Sequence, residues 1–256
     1  MTIAPDDRGF TLGDGLFETV LARAGELVLW DAHIDRLIRG CASLGLPAPD
    51  PQSCRITAVE EIDDAGLSGA RTAVRVTWSA GPGGRGLDRP STPVPTLVVQ
   101  ASPAPKPEGP ARLSIVSVRR NEATPASRLK TLSYLDQVLA RREAKAMGAD
   151  EALMLNARGE LACCAAGNLF WREGRVLFTP ALECGVLDGI MRAVLMKRAR
   201  AVGYTVREVR AMTSVLERAE AVFMTNSLVG VRAVTAVDER LFETDPAIEG
   251  LAADVA

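Results

Sequence analysis

Hydrophobic and polar residues alternate over several short stretches of the first hundred residues, a pattern typical of half-buried β-strands. Val74, Val76 and Trp78, for example, are apolar at every second position. This alternation and the flanking turn residues predict four strands, at residues 16–21, 26–30, 72–79 and 96–101. Helical spacing of apolar residues predicts helices at residues 30–45, where Asp31 is the expected N-cap, and at residues 54–65.

The second half of the chain continues this mixture of strands and helices. Helices are predicted at residues 133–147, at about 189–201 and from Thr213 onward. Strands are predicted at residues 112–118, 152–156, 160–165, 168–171, 176–179, 204–209 and 221–224.

A proline-rich stretch without periodicity separates the two halves, as expected of a linker between domains. We therefore predict an N-terminal domain of residues 1–101, a linker of residues 102–111 and a C-terminal domain of residues 112–256, which would carry Lys130.

Composition and charge exclude several classes of function. The 256 residues carry a net charge of −2, so no electrostatic feature favours nucleic acid or an anionic membrane as a partner. No apolar run approaches the roughly 20 residues that cross a bilayer, and the first residues lack the pattern of a signal peptide. We expect a cytoplasmic protein.

The cysteines and the single histidine narrow the chemistry further. Five cysteines, an odd and scattered set without CxxC spacing, argue against a disulfide framework and a zinc site, and predict reduced, buried thiols. Because His33 is the only histidine, a serine triad or a multi-histidine metal site is disfavoured.

Lys130 lies just before the predicted helix at residues 133–147, between the apolar residues Leu129 and Leu132. Burial disfavours the charged form of a lysine and lowers its pKa. A neutral amine of this kind can form a Schiff base with an aldehyde cofactor. The alternative is a surface lysine whose aliphatic chain covers apolar neighbours.

Two stretches carry groups that suit a phosphate. His33 and Arg36 are three residues apart and therefore share one helical face, where their two donor groups can hold a phosphate. The alternative is that this face is simply solvated. Asp188 or Gly189 begins a predicted helix, and the unpaired backbone N–H groups at a helix N-terminus bind anions.

Two loops carry further polar candidates. Arg85 lies at the tip of the loop at residues 81–86 (GPGGRG), where it either contacts a substrate carboxylate or is simply solvated. Thr225 and Asn226 follow a predicted strand and either donate to an anion or shape a turn.

Taken together, five segments resemble the class IV, fold-type IV pyridoxal-phosphate enzymes, which include branched-chain and D-amino-acid aminotransferases and aminodeoxychorismate lyase. They occur in the same order as in that family and cover nearly the whole chain. The segments are residues 10–18 (FTLGDGLFE), 33–37 (HIDRL), 129–132 (LKTL), 168–170 (NLF) and 189–192 (GIMR).

The resemblance implies a fold, a cofactor and a set of site residues. The fold is two α+β domains with pyridoxal 5'-phosphate in the cleft between them, usually in a homodimer. Lys130 resembles the catalytic Schiff-base lysine, and Arg36 resembles the arginine that binds the cofactor phosphate. The other implied cofactor-binding residues are Cys163, Asn168, Ile190, Met191, Thr225 and Asn226.

Within the family, the glycine-rich loop, Met191 and the stretch at residues 225–228 favour the lyase, which converts 4-amino-4-deoxychorismate to 4-aminobenzoate and pyruvate. Arg85 is the expected contact for a substrate carboxylate. Phe17 lies where the D-amino-acid enzymes have a tyrosine that helps to bind the substrate carboxylate. The alternatives are an aminotransferase acting on D-amino acids or branched-chain amino acids, and a cofactor-free binding protein that has kept the fold.

Cys163 departs from the family pattern. The family has a glutamate five residues before the asparagine of the NxF segment, bonded to the pyridine nitrogen of the cofactor, and that position is Cys163 here. A thiol is a weak donor and cannot keep the ring nitrogen protonated as a carboxylate does. Glu160 is the nearest acid, and strand alternation predicts that its side chain points to the opposite face, unless a register shift or a bulge near Gly167 changes the count. We expect a lyase to tolerate this change better than an aminotransferase, because its aromatic product supplies part of the driving force.

Overall fold

The computed structural model describes residues 3–255. These residues form two compact units: an N-terminal unit of residues 3–106 with Leu129–Ser133, and a C-terminal unit of Pro107–Arg128 with residues 134–255. The division after Lys106 falls inside the predicted linker. Residues 1, 2 and 256, which begin and end the predicted domains, lie outside the described residues.

The predicted C-terminal domain was to carry Lys130, but this residue belongs to the N-terminal unit. The reason is backbone pairing: Phe17 donates its N–H to the carbonyl of Lys130 at 2.9 Å, and Leu132 donates to the carbonyl of Gly15 at 3.0 Å. The segment is therefore an extended addition to a strand of the first unit, and the helix that follows belongs to the second unit.

The N-terminal unit contains one antiparallel sheet of four strands in the order β2-β1-β3-β4. Its strands are β1 (Gly15–Arg23), β2 (Glu26–Leu27), β3 (Arg71–Ser79) and β4 (Thr96–Pro103). Its helices are α1 (Arg8–Leu12), α2 (Trp30–Leu44) and α3 (Pro51–Asp64).

Local sequence explains most of these boundaries. Ala24 and Gly25 have positive φ angles and form the predicted turn between β1 and β2. β2 ends earlier than predicted because Trp30 already begins α2, and the N-cap is Leu29 with Asp31 in the first turn. α3 begins at Pro51 because the Asp50 carboxylate accepts a bond from the Ser53 N–H.

The C-terminal unit contains a nine-stranded mixed sheet. Its strands are β5 (Ala111–Arg120), β6 (Glu151–Asn156), β7 (Leu161–Cys164), β8 (Gly167–Glu173), β9 (Val176–Pro180), β10 (Thr205–Val209), β11 (Ala221–Asn226), β12 (Gly230–Val237) and β13 (Arg240–Leu241). Its helices are α4 (Leu135–Ala146), α5 (Ile190–Ala201) and α6 (Pro246–Glu249). The segment at Thr213–Glu217, predicted to begin a helix, is a short 3-10 turn.

Six strands of this sheet close into a ring. The order β8-β11-β12-β5-β6-β7 returns to β8, because β7 and β8 pair through Cys163–Asn168 and Cys164–Gly167. Every residue of β6 is buried, as expected for a strand covered on both faces. The ring brings the ends of β7, β8 and β11 together, where the candidate residues of this unit lie.

The longest described helix, α2, has 15 residues, and no described helix is both long and apolar enough to cross a membrane.

Candidate active site

Lys130 lies against the ring of Phe17 in the N-terminal unit. Its Nζ is 4.2 Å from the ring centroid, and the backbone pairing of the two residues holds the lysine beside β1. Position 15 requires a glycine, since a Cβ there would lie 2.6 Å from the Trp78 carbonyl oxygen and 2.7 Å from Ser79 Cα in the backbone of β3. Lys130 and Phe17, which the sequence indicates as separate candidate site residues, are thus in contact.

The pKa of Lys130 is lowered to about 8. Burial is the largest cause, because desolvation disfavours the ammonium. The negative charge of Glu18 opposes this shift, whereas the positive charges of Arg36 and Arg75 reinforce it. About a tenth of the amine is therefore neutral at pH 7, and this neutral form is the one that nucleophilic and proton-transfer chemistry uses.

Arg36 and His33 share one face of α2, as predicted, and both contact the same buried carboxylate. Arg36 Nε lies 2.8 Å from Glu18 Oε1, and Arg36 Nη2 lies 2.6 Å from Oε2. His33 Nδ1 is 2.7 Å from that second oxygen. Burial alone would raise the pKa of Glu18, but Arg36 and His33 lower it to about 2. Glu18 therefore remains an anion that orients the Arg36 guanidinium.

Sequence reasoning missed Glu18 and Arg75. Glu18 is only 1% exposed, and its signal was an acid within the apolar run that forms β1. Arg75 lies in β3, with its guanidinium carbon 3.7 Å from the Phe17 ring centroid. Its signal was an arginine between Val74 and Val76, on the face of the strand opposite to theirs.

The N-terminal cluster is positively charged. It combines three basic groups, Lys130, Arg36 and Arg75, with the single carboxylate of Glu18. Such a cluster attracts carboxylates and phosphates. Arg85 lies in the same unit on the loop after β3, with its side chain exposed.

The candidate residues of the C-terminal unit meet where β8 and β11 pair. Thr225 lies directly across from Asn168. The Asn168 amide Nδ2 donates to the carbonyl of Leu187 at 2.8 Å, just before α5. A Cβ at Gly189 would collide with Asn168 Oδ1, so any larger residue at the start of this helix would have to displace the Asn168 amide.

Two groups near the β8–β11 pair lack hydrogen-bond partners in the part of the chain that the structure describes. No side chain caps α5 at Gly189, so the first N–H groups of the helix, those of Ile190 and Met191, lack a side-chain acceptor. The hydroxyl of Thr225 is fully buried and has no hydrogen-bond partner among the described residues. Unpartnered buried donors are costly, and an anion bound here would satisfy both.

Asn226 has a different environment. Its Nδ2 donates to the Ala166 carbonyl at 2.8 Å, and its Oδ1 accepts from the N–H groups of Leu228 and Val229 at 2.9 Å each. The Asn226 side chain thus shapes the turn after β11, which is the structural alternative for this residue.

Cys163 lies across from Asn168 in the β7–β8 pair and is 8% exposed. Burial raises the pKa of its thiol, although the Arg120 charge opposes the rise. The group is therefore a neutral thiol at physiological pH. Cys164 packs in a different apolar cluster, on the other face of β7.

The prediction for Glu160 is wrong, because β7 contains a bulge. Met154 pairs with Cys163 and Leu155 with Leu161, which leaves Ala162 as an extra residue. The bulge shifts the alternation, so that Ala162 and Cys163 pack in one cluster with Cys184. The Cys184 thiol in turn lies 3.8 Å from Glu160 Oε2, which turns the glutamate toward the Cys163 side.

Glu160 is nevertheless occupied by other partners. Arg210 donates to Oε1 from Nε at 3.0 Å and from Nη2 at 2.8 Å. Asn156 Nδ2 donates to Oε2 at 2.7 Å. Its carboxylate is therefore part of a surface ion pair, and Cys163 remains the residue five positions before Asn168.

Comparison with known proteins identifies the family. Residues 15–237 match the family described as amino-transferase class IV. The chain is 31% identical to the aminodeoxychorismate lyase of Bacillus subtilis over 246 residues, which cover 93% of this chain and 82% of that protein. It is 26% identical to the D-alanine aminotransferase of Listeria innocua over 252 residues, covering 93% and 83%.

A solved structure agrees with this match. The fold is similar to the crystal structure of 4-amino-4-deoxychorismate lyase from Pseudomonas aeruginosa, with a TM-score of 0.88 and 31% identity over 98% of this chain and 93% of that one. The predicted α+β fold-type IV class, the prediction of an enzyme and the pyridoxal 5'-phosphate cofactor are confirmed. The chain belongs to the class IV aminotransferase family.

Proposed function

We propose that this protein is a 4-amino-4-deoxychorismate lyase, which releases 4-aminobenzoate and pyruvate with the aid of pyridoxal 5'-phosphate. The observation that carries the proposal is the half-buried amine of Lys130, with a pKa of about 8, among the positive charges of Arg36 and Arg75. The substrate bears two carboxylates, which suit this cluster. The lyases of Bacillus subtilis and Pseudomonas aeruginosa are similar over most of the chain.

The residues present fit the cofactor. The orphaned hydroxyl of Thr225 and the uncapped N-terminus of α5 suit its phosphate. We assign the phosphate to Thr225, to the N–H groups of Ile190 and Met191 and to Arg36, and the aldehyde to the Lys130 amine. Asn168 and Cys163 would border the ring, and Asn226 would support this site through its turn. When bound, the cofactor withdraws electrons from the amine-bearing carbon of the substrate.

Once the substrate amine has replaced Lys130 as the amine held by the cofactor, the freed Lys130 would act as an acid and a base. Its neutral amine takes the proton from the amine-bearing ring carbon of the substrate. The carbon–oxygen bond to the enolpyruvyl group breaks as the ring becomes aromatic. The Lys130 ammonium returns the proton to the methylene carbon of the leaving group, which becomes pyruvate.

Arginines of the N-terminal unit would orient the substrate. Arg75 is the first candidate, because its charge acts on Lys130 and its guanidinium stacks on Phe17. Arg85 remains our proposed contact for a second carboxylate, and Phe17 would line the site between the amine and Arg75.

The second candidate function is amino transfer from D-amino acids or branched-chain amino acids. The similarity to the Listeria innocua D-alanine aminotransferase favours it. Cys163 argues against it, because a neutral thiol gives the cofactor ring less electron-withdrawing power than a carboxylate.

The deciding experiment incubates the purified protein with 4-amino-4-deoxychorismate and, separately, with a panel of L- and D-amino donors. The lyase forms 4-aminobenzoate and pyruvate, whereas an aminotransferase converts its cofactor to the amine form with a donor alone. Lys130→Ala should abolish the reaction and the visible absorbance of the bound cofactor. Lys145→Ala, an exposed lysine on α4, is the matched control. A protein that never takes up the cofactor would instead be the cofactor-free binding protein.

We also propose that the enzyme works in the cytoplasm, and that it forms a homodimer, as the family resemblance implies. Exposed apolar residues on one side of α4, Leu135, Val138 and Leu139, are consistent with a protein surface there. Light scattering on the purified protein measures the mass and tests the dimer.

A further inference from the structure

The side chain of Arg8 binds the backbone of the glycine loop, defined here as residues 81–89. The Arg8 side chain is buried, and its guanidinium donates to three successive carbonyls of the loop. Nη2 is 2.7 Å from the oxygen of Leu87, and Nη1 is 3.2 Å and 3.1 Å from those of Gly86 and Asp88. A planar fork with several fixed donors suits this task, whereas a lysine offers a single point charge.

Asp14 completes the contact. Arg8 Nε lies 2.9 Å from Asp14 Oδ2, and Arg89, at the far end of the loop, also forms an ion pair with Asp14. Arg89 is the largest cause of the lowered pKa of Asp14, and Arg8 adds to it. One carboxylate thus ties α1 to the end of the loop.

The loop backbone is built to pass closely over Arg8. A Cβ at Gly83 would collide with the Arg8 side chain, and Gly84 and Gly86 have φ angles of +66° and +95°. Arg85 lies between these two glycines with its side chain exposed. The three carbonyls that Arg8 binds follow Arg85 directly in the sequence. They therefore fix the position from which the Arg85 side chain extends.

The backbone of Asp14 and Gly15 connects the loop to the segment that carries Lys130. Asp14 accepts the N–H of Ala80 on its carbonyl at 2.9 Å, at the start of the loop. The next residue, Gly15, accepts the N–H of Leu132, two residues after Lys130. A displacement of the loop relative to Lys130 therefore requires the Asp14 contacts to break.

We propose that Arg8 is a positioning residue, which, with Asp14 and Arg89, fixes the glycine loop so that Arg85 meets a substrate carboxylate at a set distance from Lys130. This inference rests on the proposed function, because it assumes an anionic substrate. Arg8 itself is too buried to contact the substrate and acts through the loop.

The test combines kinetics with proteolysis of the cofactor-loaded enzyme. Arg8→Met should raise KM for 4-amino-4-deoxychorismate about tenfold with little change in kcat. The substrate would be held less well, whereas the proton transfers at Lys130 would be unaffected. Arg8→Met should also speed tryptic cleavage after Arg85 about tenfold, because the freed backbone can enter the protease. Arg55→Met, an exposed arginine on α3, is the control and should alter neither.

A double-mutant cycle separates positioning from mere stabilisation. In an Arg85→Ala background, Arg8→Met should cause no further rise in KM, since the group that it positions is gone. An equal rise in both backgrounds overturns the positioning role. Arg8→Lys and Asp14→Asn should give intermediate effects, and they carry the test if Arg8→Met does not fold.

The two proposals fail in different ways. A wild-type protein that makes no 4-aminobenzoate overturns the proposed function. Equal tryptic cleavage rates in the wild type, Arg8→Met and Asp14→Asn overturn the contact between Arg8 and the loop, whatever reaction the enzyme catalyses.

Discussion

Arg36 binds the carboxylate of Glu18 at two points, with its Nε 2.8 Å from Oε1 and its Nη2 2.6 Å from Oε2. The pair joins α2 to β1 and lies close enough to Lys130 for both charges to act on its amine. A residue selected from sequence as a phosphate ligand is thus also part of a buried ion pair. Its partner carries a negative charge down to a pH of about 2.

The pH dependence of cofactor uptake should report the pKa of Lys130. In the cofactor-free protein, the rate of pyridoxal phosphate uptake should rise with a midpoint near pH 8, since only the neutral amine attacks the aldehyde. Arg75→Met should move the midpoint to higher pH, because it removes a positive charge. Arg39→Met, an exposed arginine on α2, should leave it unchanged. Stopped-flow absorbance measures the rate, and an unmoved midpoint in Arg75→Met would contradict the coupling.

Glu18 should make the cofactor-free protein lose stability in acid. Its pKa falls from an ordinary value of 4.5 to about 2 on folding, so its contribution is complete above about pH 5 and is lost as the pH falls toward 2. At about 1.4 kcal/mol per unit, the free energy of unfolding should drop by about 3 kcal/mol over this range. Urea titrations at several pH values measure this change. Glu18→Gln should show a flatter profile and a lower stability near neutral pH, and a slope equal to that of the wild type would refute the assignment.

Gly189→Ala should weaken cofactor binding through a steric effect alone. The backbone at Gly189 has φ −74° and ψ 140°, which alanine adopts readily, but the new Cβ would displace the Asn168 amide. We expect the Kd for pyridoxal phosphate to rise about tenfold or more, since the α5 N-terminus and its neighbours must hold their geometry. Fluorescence titration measures the Kd.

Gly250→Ala is the matched control for that experiment. Gly250 has a φ of −65°, and a Cβ there meets nothing within 4 Å. Its Kd should equal that of the wild type, and unchanged binding in Gly189→Ala would exclude a tight cradle at the start of α5.

Cys163→Glu should speed amino transfer. A carboxylate beside the ring nitrogen would strengthen electron withdrawal by the cofactor, so the half-reaction with an amino donor should accelerate by about tenfold, with a smaller effect on the lyase reaction. Cys163→Gln has the same size without the charge and should not accelerate it. Single-turnover spectroscopy follows the half-reaction. Rapid amino transfer by the wild type, unaltered in Cys163→Glu, would disprove the role given to the thiol.

Local patterns predicted the existence of most elements, because alternation and helical spacing reflect burial within each segment. The strand at β3 and the helix at α2 begin within a residue of their predicted starts. The pairing of Lys130 with Phe17 joins residues more than a hundred positions apart, and no local pattern encodes it. The sequence therefore identified the lysine and missed the unit to which it belongs.

Chemistry and the family resemblance indicate single candidate residues, whose roles stay predictions, whereas contacts between distant elements cannot be read from the sequence. Lys130 and the helix beginning at Ile190 followed from chemistry and from the family resemblance. Glu18 was missed because its importance comes from Arg36 and His33, which reach it from another element. The orientation of Glu160 was predicted wrongly because one extra residue, Ala162, reverses the alternation, and a bulge arises from pairing with β6 rather than from composition.

The return of residues 129–133 to the N-terminal unit has a consequence for how the protein can be made. During synthesis the ribosome must pass Ser133 before β1 receives the segment that pairs with Phe17 and Gly15. A fragment that ends at Lys106 would lack both that segment and the lysine. The two units therefore cannot be separated by a single cut in the gene, and the first unit is complete only when more than half of the chain exists.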